Sequence, residues 1–182
     1  MLKHLTLQSK IAITSTLCLI IGGAIAVFAC EYNNPQTIGD MSLANKIQVS
    51  LFQSITTRTA GFATVPQENL TSAGSLVSLI LMFVGGSPVG TAGGIKTTTV
   101  GVLFLSTLTS ARGRRRDNIF RYSLDRDMLR QASSILMIYL GMAICAILAL
   151  CALDPIPLKD GMFEVNSAIA TVGSTLGITP VL

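Results

Sequence analysis

Residues 85–99, GGSPVGTAGGIKTTT, hold five glycines and a proline, followed by a lysine and three threonines. Residue types in this order do one of two things. Glycines ahead of a lysine and a hydroxyl can wrap a phosphate with backbone N–H groups. Glycines and a proline inside an apolar stretch instead weaken a helix and leave backbone groups without intrahelical partners. A second signal is a pair of small-residue sequences, SITTRTAGF with Gly61 and SAIATVGST with Gly173, each carrying one glycine at a comparable place. Phe52 stands 9 residues before Gly61, and Phe163 stands 10 before Gly173. Glycine suits such a turn because it takes positive φ and can aim its carbonyl at a ligand.

Composition decides what the glycine run is for. Of 182 residues, 50% are hydrophobic and 12% charged, which lies outside the soluble range. A phosphate loop of the Walker type needs glycine immediately before its lysine, a preceding strand and a soluble α/β setting. Ile95 precedes Lys96, and the setting is apolar, so the nucleotide-hydrolysing enzyme reading is set aside. Seven of the eight arginines fall between Arg112 and Arg130. That clustering is a membrane-orientation signal and argues against a nucleic-acid partner. Cys18, Cys30, Cys145 and Cys151 lie in or at the end of apolar runs, with no CxxC spacing and a single histidine in the chain. They are expected to be buried apolar residues, and no metal site is expected.

The elements that would position these residues follow from bilayer thickness. Residues 11–30 form 20 positions without a charge, about 30 Å of helix, enough to span once. Lys3 and Lys10 ahead of it resemble a signal peptide, but the run is long and further apolar segments follow, so it reads as a retained span. Residues 69–111 hold 43 positions with one charge, Lys96, and as a straight helix would reach about 64 Å, twice the bilayer core. Part must lie outside and the rest must bend at the glycines. Residues 131–153 span a third time. The fold class is all-α, a polytopic membrane protein. Basic residues before the first span and between the second and third place the N-terminus and residues 112–130 in the cytoplasm. Residues 31–68 and the segment after Leu153 then face outside.

Each outer segment contains a short amphipathic stretch, residues 43–55 and 161–169, too short to span. Ser42 and Asp160 are the expected N-caps. The pattern is an internal repeat of span, re-entrant half-helix, glycine-bearing turn and span. A half-helix stopping inside the membrane points its unpaired carbonyls and partial negative charge inward, where a cation is attracted. Irregular backbone at that depth must line protein or a water-filled path. Carbonyls of the turns at Gly61 and Gly173 can there replace the hydration shell of a potassium ion. The bland alternative is a pair of surface loops with an incidental glycine.

FQSITTRTAGF (52–62), GGSPVGTAGGIKTTT (85–99) and FEVNSAIATVGSTLGITP (163–180) together resemble the Trk/Ktr/HKT superfamily of potassium transporters, most closely the membrane subunit of the bacterial Ktr type. In order and spacing these motifs cover nearly the whole chain. The resemblance implies four span, pore-helix, span repeats around one pore. This chain looks like the third repeat (1–112), a basic cytoplasmic linker (113–130), and the span, pore helix and filter of the fourth (131–182). It implies ion-binding selectivity filters at Thr59, Ala60 and Gly61 and at Thr171, Val172 and Gly173. It implies a gate loop beneath them that includes Gly85, Gly86, Ser87, Pro88, Gly90, Gly93, Gly94 and Lys96. No cofactor in this chain is implied; potassium is the transported ion, with sodium a candidate coupling or activating ion. A homodimer on a ring of nucleotide-binding regulatory subunits is implied. The chain departs from the family pattern at Val89 and Gly90, where glycine and serine are common, and at Ser174, where leucine is usual. It also lacks a segment matching the last span, which in the family carries a pore-facing arginine.

Three charged features have competing readings. Arg58 beside a cation filter would repel the ion if exposed to it. It is expected to turn away and support the pore loop through carbonyls or a carboxylate, with Glu164 and Glu68 as candidates. Lys96 either snorkels to cytoplasmic headgroups or sits near the pore or an internal carboxylate. The arginines from Arg112 to Arg116 contact lipid headgroups of the bilayer or dock a cytoplasmic partner. The resulting function is potassium uptake through a carbonyl-lined filter gated by the glycine loop. The competing classes are a secondary transporter with broken helices and a non-conducting truncated or assembly subunit.

Overall fold

The computed structural model describes residues 7–86, 93–111, 118–119, 122–123 and 126–178. In chain order these are α1 (Leu7–Glu31), α2 (Leu43–Thr56), a 3₁₀ turn (Gln67–Asn69), α3 (Ser72–Phe83), α4 (Thr97–Ala111), β1 (Asn118–Ile119), β2 (Tyr122–Ser123), α5 (Arg126–Leu153) and α6 (Leu158–Ile169). The two strands form only a two-residue antiparallel ladder between α4 and α5. The fold is all-α.

Two helices, over Ser9–Glu31 and Asp127–Leu153, are long and apolar enough to cross a membrane. Their outer faces are apolar at helical spacing: Ile13, Leu17, Ile21 and Ile25 on α1, and Ile144 and Leu148 on α5, are exposed. Such faces require an apolar environment, which a bilayer supplies. The cysteines follow the same logic, which corrects the expectation that they are buried. All four are free thiols, Cys18 and Cys145 exposed and Cys30 and Cys151 half-buried, because an apolar residue in a span needs no core to avoid water.

The middle apolar run is broken, and α3 and α4 have 12 and 15 residues. The ends of the break are sewn together. Val84 bridges Ile95, Ile95 N donates to Phe83 O at 3.2 Å, and the buried Thr97 donates to Gly86 O from both N (3.2 Å) and Oγ1 (3.0 Å). This neck pairs backbone groups from its two sides, which irregular backbone within a bilayer requires.

Helix starts obey local capping. Ser42 accepts from Asn45 N at 3.4 Å and caps α2. Asp160 does not cap α6. That helix begins two residues earlier, behind Pro157, whose carbonyl accepts from Asp160 N (3.0 Å) and Gly161 N (3.1 Å). Proline's fixed φ starts the turn, and Asp160 lies inside it, where the helix dipole favours an anion.

The buried face of α2 is polar, made of Lys46, Ser50, Gln53, Ser54 and Thr56, while Leu43, Ile47, Leu51 and Ile55 are exposed. Ser54 Oγ donates to Ile20 O of α1 at 2.9 Å, and a Cβ on Gly23 would collide with that hydroxyl, so the two helices approach closely. The far end of α1 is joined to α3 through Glu31. This buried carboxylate accepts from Asn34 Nδ2 (2.7 Å), Thr37 Oγ1 (2.8 Å), Thr71 N (2.9 Å) and Thr71 Oγ1 (2.6 Å). Thr71 in turn caps α3 by accepting from Gly74 N at 3.0 Å. A core of Met82, Phe163, Ala170, Val172 and Leu176 fastens α6 and the turn after it to the end of α3. Ile11 and Val102 with Leu105 and Leu129 join α1, α4 and α5.

Candidate functional site

Two turns follow the C-terminal ends of α2 and α6. Among the described residues, the non-glycine residues with positive φ are Thr59 (73°) and Thr171 (54°). Each stands two positions before a left-handed glycine, Gly61 at φ 76° and Gly173 at φ 80°. A β-branched residue in this region is strained by roughly 1–3 kcal/mol and persists only where its surroundings impose it.

Those surroundings are alike in plan. At the first turn, Ala60 N and Gly61 N both donate to Thr56 O, at 3.1 and 3.0 Å. At the second, Thr171 N donates to Ala168 O at 3.1 Å and Val172 N to Ser167 O at 2.9 Å. A hydroxyl near each helix end then holds the carbonyl just past the glycine: Thr56 Oγ1 donates to Phe62 O at 2.7 Å, and Ser167 Oγ to Ser174 O at 2.6 Å.

The turns meet each other. A Cβ built on Gly61 would land on the carbonyl oxygen of Val172, so backbone touches backbone there. Each outgoing strand is braced to its own helix. Gln53 and Gln67 exchange reciprocal amide bonds of 2.7 and 3.2 Å; Glu164 Oε1 accepts from Thr175 Oγ1 and, at 3.0 Å, from Leu176 N. Helix α6 is moored through Asn166, which donates to Leu79 O at 3.0 Å and accepts from Tyr139 OH at 3.1 Å. Tyr139 also packs edge-on against Phe83, with ring centroids 5.1 Å apart.

Against both turns lies the neck between α3 and α4. Arg58 Nη2 donates to Gly85 O at 3.3 Å, and Gly93 N donates to Thr171 Oγ1 at 2.9 Å. The neck's two sides touch, since a Cβ on Gly85 would land on the Gly93 carbonyl, and Gly94 holds φ 72°. Arg58 therefore reaches a carbonyl, and neither candidate carboxylate is its partner. Glu164 is turned to Thr175 and Leu176, and Glu68 lies beside Gly177, where a Cβ would stand 3.1 Å from Glu68 Oε2. Arg58 Nε is buried with no hydrogen-bond partner among the described residues.

The structure thus gathers Arg58, Thr59, Ala60 and Gly61, Thr171, Val172 and Gly173, and Gly85, Gly86, Gly93 and Gly94. Lys96 is half-buried just before α4. Ser87, Pro88 and Gly90 of the expected gate loop, and the arginines from Arg112 to Arg121, lie outside the described residues. Among the described residues no group of three or more His, Cys, Asp or Glu is placed to hold a metal. Glu31, Gln53 and Asn166 were not singled out from the sequence. Each has a partner 14 to 87 residues away, and no local spacing announces it. The strained threonines had a signal, the T-x-G shared by both stretches.

Residues 4–182 match the family model described as TrkH, cation transport protein. The chain is 35% identical over 180 residues to the Ktr system potassium uptake protein B of Bacillus subtilis, covering 99% of the chain and 40% of that protein. It is 34% identical over 182 residues to the potassium/sodium uptake protein NtpJ of Enterococcus hirae, with 98% and 40% covered. It is 30% identical over 175 residues to the Ktr system potassium uptake protein B of Vibrio alginolyticus, with 96% and 38% covered. It spans about two-fifths of the length of these curated relatives. The matched family transports cations and is not a family of enzymes. A match over nearly all of its residues, together with helices suited to a bilayer, makes this chain a membrane protein that belongs to the TrkH family of cation transport proteins.

Proposed function

We propose that the chain is part of a potassium uptake system of the cytoplasmic membrane. The turns at Thr59, Ala60, Gly61 and Thr171, Val172, Gly173 coordinate the ion with backbone carbonyls, and the loop from Gly85 to Lys96 gates its passage. The observation that carries this reading is the abutment of two left-handed glycine turns, each at the C-terminal end of a short helix and each preceded by a strained threonine. Helix C-termini and converging carbonyls favour a cation and replace its water. A secondary transporter with broken helices does not need two half-helices ending against each other.

In this reading residues 1–112 are one complete span, pore-helix, span unit and residues 131–182 the beginning of the next, joined by a basic cytoplasmic linker. The N-terminus is cytoplasmic as well, following the basic residues. Arg58 supports the filter from behind. The protein works as a homodimer on a ring of nucleotide-binding regulatory subunits, and sodium serves as a coupling or activating ion; the name of the Ktr-system relative supports a separate partner subunit, and that of the potassium/sodium uptake relative supports a part for sodium. The test is potassium-limited growth and ion uptake in a transport-deficient cell carrying the protein as its gene encodes it. Gly61→Ser lowers discrimination of potassium against sodium, and unchanged selectivity sinks the filter assignment. Deleting residues 89–93 raises flux or removes its control; regulation left intact would reduce the loop to a kink.

A further inference from the structure

The two turns are held from above by their helices, but the strained threonines need a further restraint, and the neck between α3 and α4 supplies it. Gly93 N is bonded to the hydroxyl of Thr171 itself, the residue at φ 54°. Arg58, the neighbour of Thr59 at φ 73°, is bonded to Gly85 O on the other side of the neck. Gly85 and Gly93 are in backbone contact, and a Cβ on Gly93 would stand 2.5 Å from Thr171 Oγ1 and 2.7 Å from Ala170 C and O. A continuous path therefore runs from the first turn through Arg58, Gly85, Gly93 and Thr171 to the second turn. It closes from below the ring that Gly61 and Val172 close directly.

We infer that this neck is a clamp that sets the backbone geometry of both turns, with the Thr171 hydroxyl as the positioning group on which ion discrimination depends. The inference rests on the turns being the ion site proposed above. A strained backbone relaxes when a restraint is removed. Carbonyls that relax lose the spacing that separates a potassium ion from a smaller, more strongly hydrated sodium ion. The side chain at 171 thus acts on the ion through the main chain. Serine keeps the bond; valine keeps shape and removes it.

The experiment uses the protein as its gene encodes it, purified and reconstituted in liposomes. Two quantities are read: the potassium-over-sodium ratio in competitive uptake, and the ratio of concentrations at which each ion raises the unfolding temperature. Thr171→Val and Gly93→Ala, which attack one bond from opposite sides, each lower both ratios about tenfold, and Thr171→Ser restores the parent values. If Thr171→Val and Gly93→Ala change flux for both ions equally and leave the ratios at the parent values, the clamp does not set selectivity and the inference falls while the transport reading stands. If Thr171→Ser loses discrimination as fully as Thr171→Val, the hydroxyl is not the positioning group and the inference falls. If the parent protein neither discriminates between the ions nor is stabilised by potassium, the proposed ion site falls and this inference with it.

Discussion

The turns at Gly61 and Gly173 share their dihedral angles and differ in what surrounds them. Gly61 is filled in: the space where a side chain would begin is occupied by the carbonyl oxygen of Val172. Gly173 is open, with no atom of the described residues within 4 Å of the same position. Their braces differ too. The first turn leans on a neutral, reciprocal pair of buried amides, the second on a carboxylate that gathers a hydroxyl and a backbone N–H. Equal φ therefore does not mean equal tolerance, and conformation and packing can be separated by substituting the same residue at both places.

The largest effect is expected at Gly61→Ala. It must adopt a left-handed conformation and also displace the Val172 carbonyl, which shifts the opposite turn. Potassium uptake falls by about a hundredfold or more, roughly 3 kcal/mol. Uptake within threefold of the parent would show that the contact at Val172 yields freely. Next comes Gln53→Leu, which leaves the buried Oε1 of Gln67 without its donor and lowers unfolding stability by about 1–3 kcal/mol. A denaturant or thermal midpoint indistinguishable from the parent would remove the brace from the account.

Gly173→Ala bears the conformational strain alone, about 1–2 kcal/mol. Apparent potassium affinity should weaken about tenfold with folding retained. A loss as deep as that of Gly61→Ala would abolish the distinction between the filled and the open turn. The smallest effect belongs to Glu164→Gln. The amide keeps an acceptor for Leu176 N and Thr175 but gives up the charge, a difference of about 1 kcal/mol between charge-assisted and neutral bonds. An effect larger than that of Gln53→Leu would mean that the charge of Glu164 itself acts on the ion.

How much of this was legible in the sequence depends on the distance over which each feature is specified. The spans were legible because the bilayer fixes a length and residues 11–30 and 131–153 meet it. The two short helices and their glycines were legible because their patterns recur with similar spacing. Asp160 misled because an N-cap residue and a first-turn acid are the same letter, and the preceding Pro157 was the better marker of the start. Arg58 was expected to support the pore loop through carbonyls or a carboxylate, and it reaches a carbonyl, but only the carboxylates could be named in advance. A sequence displays carboxylates and hides carbonyls, which every residue carries. The carbonyl of Gly85, 27 residues away, could be identified only after the neck was folded. The contact between Gly61 and Val172 involves two backbones from different segments and leaves no trace in residue type beyond the glycine.

The inverted face of α2 bears on how the protein is made. A helix whose hidden side carries Lys46, Ser50, Gln53, Ser54 and Thr56 cannot be released alone into hydrocarbon, because each unsatisfied polar group there is costly. It has to wait outside the hydrocarbon until α1 and α3 stand side by side to receive it, with Ile20 O ready for Ser54 and Glu31 already holding Thr71. Insertion therefore runs out of chain order. Helix α3 is in place before α2 settles, and a ribosome-bound intermediate ending before Thr71 should present α2 to water-borne labelling reagents.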